Sequence, residues 1–284
     1  MTGNVWFITG GSDGFGRAIA LEALKRGDKV VATSRNLARM ADLAAAGALT
    51  LALDVTADDA TIQAALRKAI DAYGPITHCL NSAGYAIQGT IEELSAKEVA
   101  DQFATNVLGT LNVTRNVLPI MRPRRRGVIA NFGSLWSWGG GPGLGPYVGT
   151  KWAVSGLTES LDAEVRALGL AAVVIEAGYF RTGIAAGNRV TAARRLAAEY
   201  AGLALPAGAQ GALEGRQPGD PAKGARVIVD ALTRSGAAAG RDIPPRLVLG
   251  RDALRFIRDK LTATQRLLSE WEDVIVSTDY DDIA

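Results

Sequence analysis

Tyr147 and Lys151 lie four residues apart in a stretch that reads as helix, so their side chains project from one face, a turn apart. A phenol with an ordinary pKa of ~10 is a poor base at neutral pH, and a neighbouring ammonium favours its phenolate. Such a pair can exchange a proton with a substrate oxygen. Tyr-x-x-x-Lys pairs also occur on plain surface helices, so the spacing gains meaning only from what surrounds it. The second chemical feature is Thr9-Gly10-Gly11-Ser12-Asp13-Gly14-Phe15-Gly16. Glycines there permit unusual backbone angles, let the chain approach phosphate oxygens, and leave the N–H groups of a helix start facing an anion. Its place between a strand and a helix near the N-terminus favours a dinucleotide site over an ordinary turn.

The elements that must position these groups alternate between short β-rich runs and amphipathic helices. Strand-like runs fall at 5–9, 30–34, 49–54, 76–81, 127–132, 172–176 and 246–249. Helical stretches are expected at 15–26, where Phe15, Ile19 and Ala23 share a face, from Ser95 through Leu118, and at 147–168. Asn36 is a candidate N-cap, Thr56-Ala57-Asp58-Asp59 and Ser95-Ala96-Lys97-Glu98 resemble capping boxes, and Asp220-Pro221 supplies a cap followed by a Pro at the first helical position. This rhythm predicts an α/β fold: a Rossmann-type, doubly wound, mainly parallel seven-stranded sheet with helices on both faces. Residues 183–219 are too long and too rich in Gly and Ala for an ordinary connection, and are expected to form a substrate lid with a helix around 192–200. Residues 270–284 hold six acidic residues and no basic one, and read as a frayed acidic tail. The whole chain, 1–284, is expected to be one nucleotide-binding and catalytic domain.

Composition removes several alternatives. With 284 residues, 48% hydrophobic and 21% charged, the chain is globular and neither disordered nor collagen-like. No apolar run reaches the ~18 residues of a membrane span, and Met1 leads directly into Val5-Trp6-Phe7-Ile8 without a basic leader, so the expectation is a cytoplasmic protein. One cysteine, Cys79, and one histidine, His78, leave no disulfide and no metal site of the zinc or 2-His-1-carboxylate kind. A Ser-His-Asp hydrolase would need His78, which reads instead as a satisfied strand residue. A net charge of +2 is too mild for a nucleic-acid partner, and Arg122-Pro123-Arg124-Arg125-Arg126 reads as a solvated turn at a helix end.

The glycine turn differs from the ordinary G-x-G-x-x-G spacing. Together with Leu53-Asp54-Val55, Asn81-Ser82-Ala83-Gly84, Asn106, Ser134, Tyr147-Val148-Gly149-Thr150-Lys151 and Glu176-Ala177-Gly178-Tyr179-Phe180-Arg181-Thr182, in that order, it resembles the single-domain short-chain dehydrogenase/reductase family over residues 4–182. Phe-Ile-Thr-Gly, Ala-Thr-Ser-Arg-Asn and Tyr-Phe-Arg-Thr further resemble a subgroup labelled 17β-hydroxysteroid-dehydrogenase-like, a label that does not fix a steroid substrate. The resemblance implies that Ser134 hydrogen-bonds the substrate oxygen, Tyr147 is the general acid and base, and Lys151 holds the nicotinamide ribose. Asn106 would shape its helix and hold a water in the proton path, or serve only as a buried kink residue. It also implies a cofactor held by Gly10, Ser12, Asp13, Gly14, Phe15 and Gly16. Asp54 and Val55 would lie at the adenine, Asn81, Ala83 and Gly84 along the cofactor, and Gly178 and Thr182 at the nicotinamide amide. Three positions depart from the pattern: Ser82 stands for a frequent Asn, Gly133 for a frequent Ser, and Ala177 for the usual Pro of the turn.

The second strand ends in Thr33-Ser34-Arg35-Asn36 with no carboxylate to bind a ribose 2′-hydroxyl. Ser34 and Arg35 suit a 2′-phosphate, so NADP(H) is expected over NAD(H), with Asp13 counting against it. Trp136 and Trp138, in the segment after Ser134, either line the pocket mouth or pack against the sheet. With Tyr179 and Phe180 they suggest a fairly bulky apolar alcohol or ketone. The leading expectation is a carbonyl reductase or alcohol dehydrogenase. The alternatives are a non-redox isomerase or dehydratase on the same scaffold, and a non-catalytic NADP(H)-sensing protein. The family commonly pairs through the helices carrying Asn106 and Tyr147, so a homodimer or homotetramer is expected.

Overall fold

The computed structural model describes residues 3–182, 189–193, 197–200 and 215–280. Every residue of β1 (Val5–Thr9) is buried, so both faces of this strand must be covered. The two-residue period of a strand sends Trp6 and Ile8 to one side and Val5 and Phe7 to the other, and the apolar core divides in the same way. Around β1 stand β2 (Lys29–Ser34), β3 (Leu49–Ala52), β4 (His78–Asn81), β6 (Gly127–Phe132), β7 (Leu170–Ala177) and β9 (Arg246–Leu249). Their order is β3-β2-β1-β4-β6-β7-β9, and all neighbours pair in parallel. The expected seven-stranded, doubly wound sheet is therefore present. Strand order reverses between β1 and β4, and a ligand crevice belongs at that switch, outside the strands' C-terminal ends.

The helices are α1 (Gly14–Lys25), α2 (Ala41–Ala45), α3 (Asp59–Tyr73), α4 (Ala96–Phe103), α5 (Gly109–Met121), α6 (Gly145–Val165), α7 (Ala197–Tyr200), α8 (Pro221–Thr233), α9 (Arg251–Glu270) and α10 (Glu272–Val276). Ile19 and Ala23 of α1 and Ile228 and Leu232 of α8 cover one face of the sheet. Ile62 and Leu66 of α3, Val113 and Val117 of α5, and Leu161 of α6 cover the other. Each such buried branched side chain contributes about 1.5–3 kcal/mol, which fixes the helices against the sheet and hence the loops at its edge.

Local signals held unevenly. Ser95 and Glu98 form a complete capping box, and Asp220 caps α8 through the N–H groups of Ala222 and Lys223. At 56–59 the cap is Asp58, which accepts from the Thr61 N–H, while Thr56 is tied to Asp54. The helix after Ser95 is interrupted by a π-helical turn, Ala104–Leu108, that contains Asn106. The basic run ends in an exposed turn with Arg125 in the left-handed region. A small second sheet pairs β5 (Ala86–Gln88) with β8 (Arg189–Thr191). The proposed lid overlaps residues 183–188, 194–196 and 201–214, which lie outside the described residues. The tail begins later than expected: α9 and α10 carry helix as far as Val276, helped by strong helix formers such as Leu267 and Leu268 and by the Arg266–Glu270 pair one turn apart.

His78 is a strand residue as expected. It is buried, its ring stacks on Trp6 at 4.3 Å, and its nitrogens meet the Thr77 hydroxyl and the Leu232 carbonyl. Burial, opposed by the bond to Leu232, pulls its pKa down to about 4. It takes no part in a catalytic triad.

Candidate active site

β6 delivers Ser134 two residues past its last residue, and the first turns of α6 deliver Tyr147 and Lys151, so a strand end and a helix start meet at the crevice. All three side chains are buried and line one cleft. Ser134 is fixed by its neighbours: the Trp136 N–H donates to its hydroxyl at 3.2 Å, and its own N–H donates to the Ser137 hydroxyl at 3.2 Å. Gly133 is required here, since a Cβ would stand 2.7 Å from Val174 Cγ2; the missing serine is thus a packing necessity.

Burial pushes the Tyr147 phenol up to about 12, against the lowering effect of its hydrogen bond with Ser134. Burial pulls the Lys151 ammonium down to about 8. Lys151 Nζ donates to the Phe132 carbonyl at 2.7 Å and lies 5.5 Å from the centre of the Tyr147 ring. The sequence suggested that Lys151 depresses the Tyr147 pKa, but in the protein alone desolvation wins and the phenol is held neutral. It is poised as a proton donor, and as an acceptor only when further positive charge enters the cleft.

Asn106 stands behind the cleft rather than in it. Its amide donates to the Tyr85 carbonyl at 2.9 Å and the Thr150 hydroxyl at 3.1 Å, and its oxygen accepts from the Tyr85 N–H at 3.1 Å. Thr150 in turn bonds the Tyr147 carbonyl at 2.7 Å. Asn106 therefore ties the loop after β4 to the helix of Tyr147.

The glycine turn lies at the cleft's far end, where Gly10, Ser12, Asp13, Gly14 and Phe15 line the wall. Gly10 has φ +66°, and a Cβ there would lie 2.7 Å from the Ser82 carbonyl; Gly16 packs directly against Gly10 instead of facing the cleft. Asp13 caps α1 by accepting from the Gly14 N–H at 2.6 Å and pairs with Arg39 at 3.3 Å. Ser34, Arg35, Asn36 and Arg39 line the same end, as do Asp54 and Val55. Burial raises the Asp54 carboxyl, but the Thr56 N–H and hydroxyl, with Arg35 nearby, hold it below the usual range. Ala83 and Gly84 follow the cleft, whereas Asn81 turns into the sheet and donates to Asn131 and Thr114.

Gly178, Tyr179, Phe180 and Thr182 line the opposite wall. Ala177 lacks the rigidity of Pro, but the turn is pinned otherwise: the Tyr179 N–H donates to Asp252 at 2.7 Å and the Gly178 N–H to the Leu249 carbonyl at 2.8 Å. Phe180 also wedges edge-on against Phe15 at 4.9 Å. Trp136 reaches the cleft, its ring edge-on to Phe256. Trp138 does not line it. Its indole N–H donates to the fully buried Glu176 at 2.8 Å, and the Arg246 guanidinium covers its ring at 4.5 Å, so a buried ion-pair cluster claims it.

Sequence reasoning missed Arg39, Tyr85, Leu144 and Gln217, which also line the cleft. Arg39 follows Arg35 by four residues, a spacing that signals proximity once a helical turn is known to start at Leu37. Gln217 carried no signal; its Oε1 is buried without a hydrogen-bond partner.

Comparison with known proteins agrees with this geometry. Residues 4–193 match the short chain dehydrogenase family. The chain is 30% identical to oxidoreductase BOA17 of Botryotinia fuckeliana over 96% of its own length and 98% of that protein's. A short-chain dehydrogenase structure from Streptomyces avermitilis is 36% identical, with a TM-score of 0.87 over 98% of this chain and 100% of that one. A short chain dehydrogenase/reductase from Burkholderia phymatum, in complex with NAD, is 27% identical with a TM-score of 0.74 over 96% and 95%. A parallel sheet in this order, with the serine, tyrosine and lysine gathered at its edge, thus belongs to an oxidoreductase of the short-chain dehydrogenase/reductase family.

Proposed function

We propose that the chain is an NADP(H)-dependent enzyme that interconverts a carbonyl and a secondary alcohol on a fairly bulky apolar molecule. The observation that carries this reading is one continuous cleft with Ser134, Tyr147 and Lys151 at one end and the glycine turn with Arg35 and Arg39 at the other. The residues fit a dinucleotide. Gly10, Ser12 and Gly14 bring main chain to the cleft wall, the start of α1 offers its N–H groups there, and the orphaned Gln217 oxygen suits an amide N–H donor. Bound there, the nicotinamide supplies the hydride acceptor or donor.

The remaining work falls to this chain's own groups. Ser134 holds the substrate oxygen and stabilises charge developing on it. Tyr147, neutral in the protein alone, gives its proton to a carbonyl oxygen in reduction and takes one from an alcohol in oxidation. Lys151, still mostly charged near neutral pH, orients the ribose and supports the phenolate. Asn106 acts as a positioning residue for the helix of Tyr147. The Burkholderia neighbour holds NAD, so the preference for NADP(H) in this chain rests on its own residues. Arg35 and Arg39 line the cleft where they would flank a 2′-phosphate, and Asp13, which counts against that phosphate, is partnered by Arg39. Trp136, Leu144, Tyr179 and Phe180 give the cleft its apolar walls.

We also assign the chain to one domain with a lid over 183–219 and to the cytoplasm; among the described residues no helix is long and apolar enough to cross a membrane. Exposed Leu108, Trp152 and Leu157, beside Asn106 and along α6, support pairing of copies through these helices. The test is a panel of ketones and alcohols with NADPH, NADH and their oxidised forms, run on the parent and on Tyr147→Phe. Lost turnover with retained NADPH binding supports the proposal. Turnover without change in NADPH absorbance would point to an isomerase or dehydratase, and binding without turnover of any substrate to a sensor.

A further inference from the structure

α9 is anchored only at its base. Ala253 and Ile257 are buried, and Phe256 packs edge-on against Trp136. From Arg258 to Tyr280 almost every residue is exposed. A helix standing alone in water gains nothing from large apolar side chains, yet Leu261, Leu268, Trp271 and Ile275 are 51%, 55%, 55% and 48% exposed. The two helices meet at Trp271, whose backbone leaves the helical region (φ −115°, ψ 8°); its N–H still bonds the Leu267 and Leu268 carbonyls, and its own carbonyl accepts from the Ile275 N–H at 2.8 Å.

The spacing of these residues defines what covers them. Leu254, Leu261, Leu268 and Ile275 recur every seven residues, with Ile257, Thr264 and Trp271 between them. That is the pattern of one helix packed along another. It is also symmetric about a centre between Thr264 and Gln265. In an antiparallel pair about that centre, Leu254 meets Ile275, Leu261 meets Leu268, and Arg258 meets Trp271, a cation facing an aromatic ring. Charge gives the same direction. Arg251, Arg255, Arg258 and Lys260 outnumber Asp252 and Asp259 toward the base, and Glu270, Glu272 and Asp273 outnumber Arg266 toward the tip. Antiparallel packing places basic base beside acidic tip, whereas parallel packing would stack like charges. An anionic membrane surface would be repelled by that tip.

We infer that α9 and α10 form a dimerisation element that pairs antiparallel with the same element of a second copy. This is a surface distinct from the helices carrying Asn106 and Tyr147. The exposed halves of the five large seam side chains, Leu254, Leu261, Leu268, Trp271 and Ile275, come to on the order of 500 Å² per copy, and the flanking charged stems add to this toward the ~800 Å² per partner of a stable interface.

The test uses the full chain. Molar mass by light scattering is expected to halve in Leu261→Glu/Leu268→Glu relative to the parent, with the far-UV circular dichroism of the folded domain retained. Independently, Leu254→Cys/Ile275→Cys under mild oxidation is expected to give a covalent dimer whose peptides join 254 to 275. Cys79 is buried and its thiol is pushed up to about 12, so it does not compete. An unchanged mass in the glutamate variant would overturn the inference, as would a 254–254 linkage or a monomeric parent that instead sediments with phosphatidylglycerol vesicles.

Discussion

The two ends of the cleft work by opposite physics. At the catalytic end Ser134, Tyr147 and Lys151 are withdrawn from water, and burial, opposed at Tyr147 by the bond with Ser134, displaces the tyrosine and lysine pKa values in opposite directions toward their neutral forms. At the other end Arg39 and Asp13 form a partly exposed pair at 3.3 Å, where solvent screens whatever the charges do to one another. On the proposed function, reactivity would come from desolvation, and choice of nucleotide from exposed cations that trade one anionic partner for another. Substitutions at the buried end should therefore change rates, and those at the exposed end should change affinities.

The largest effect is expected from Tyr147→Phe, which removes the proposed proton donor to the reacting oxygen and should lower kcat by about 10³-fold with NADPH affinity unchanged, as read by stopped-flow turnover and fluorescence titration. Ser134→Ala should cost about 10²-fold in kcat through lost charge stabilisation. A comparable loss of NADPH affinity in either variant would dissolve the contrast between the two ends.

His78 measures desolvation away from any chemistry. Its folded pKa is about 4 and the ordinary value is 6.5, so between these limits the unfolded chain takes up a proton that the folded chain refuses. Stability should accordingly fall as pH drops through that window, by about 3 kcal/mol in full. As the sole histidine it gives one imidazole NMR resonance, and a midpoint near 6.5 would show the site to be wet. The smallest effect belongs to the exposed end: Arg35→Ala or Arg39→Ala should weaken NADPH about 10-fold while leaving NADH and kcat nearly unchanged. If Arg39→Ala instead tightens NADPH binding, its partner Asp13 governs that end.

The sheet was legible because period-two runs and glycine punctuation are local properties, as was the Tyr147–Lys151 pair, which one helical turn brings together. The glycine turn and Ser134 became legible through their order along the chain. What stayed hidden depended on distant partners. Whether Trp138 faced the pocket or packed on the sheet was open until Glu176 and Arg246, 38 and 108 residues away in sequence, were seen to bind it. Gln217 and Tyr85 reach the cleft by tertiary folding alone. Spacing reports the lysine near Tyr147 but not the loss of water around the phenol, and so not the balance of the two in the protein alone. In α9 the seven-residue recurrence was present in the sequence, but acidic composition at 270–284 masked it.

Asp252 sits in the first turn of α9, yet its carboxylate receives the Tyr179 N–H and lies against Gly178 and Gly250. The helix and the cleft wall therefore share a hinge pin, and α9 is not a detachable appendage. A truncation before Asp252 strips the support from the turn that carries Tyr179 and Phe180, whereas one placed beyond Ile257 spares it. For anyone trimming or fusing this chain, the border between catalytic body and assembly handle falls inside a single helix.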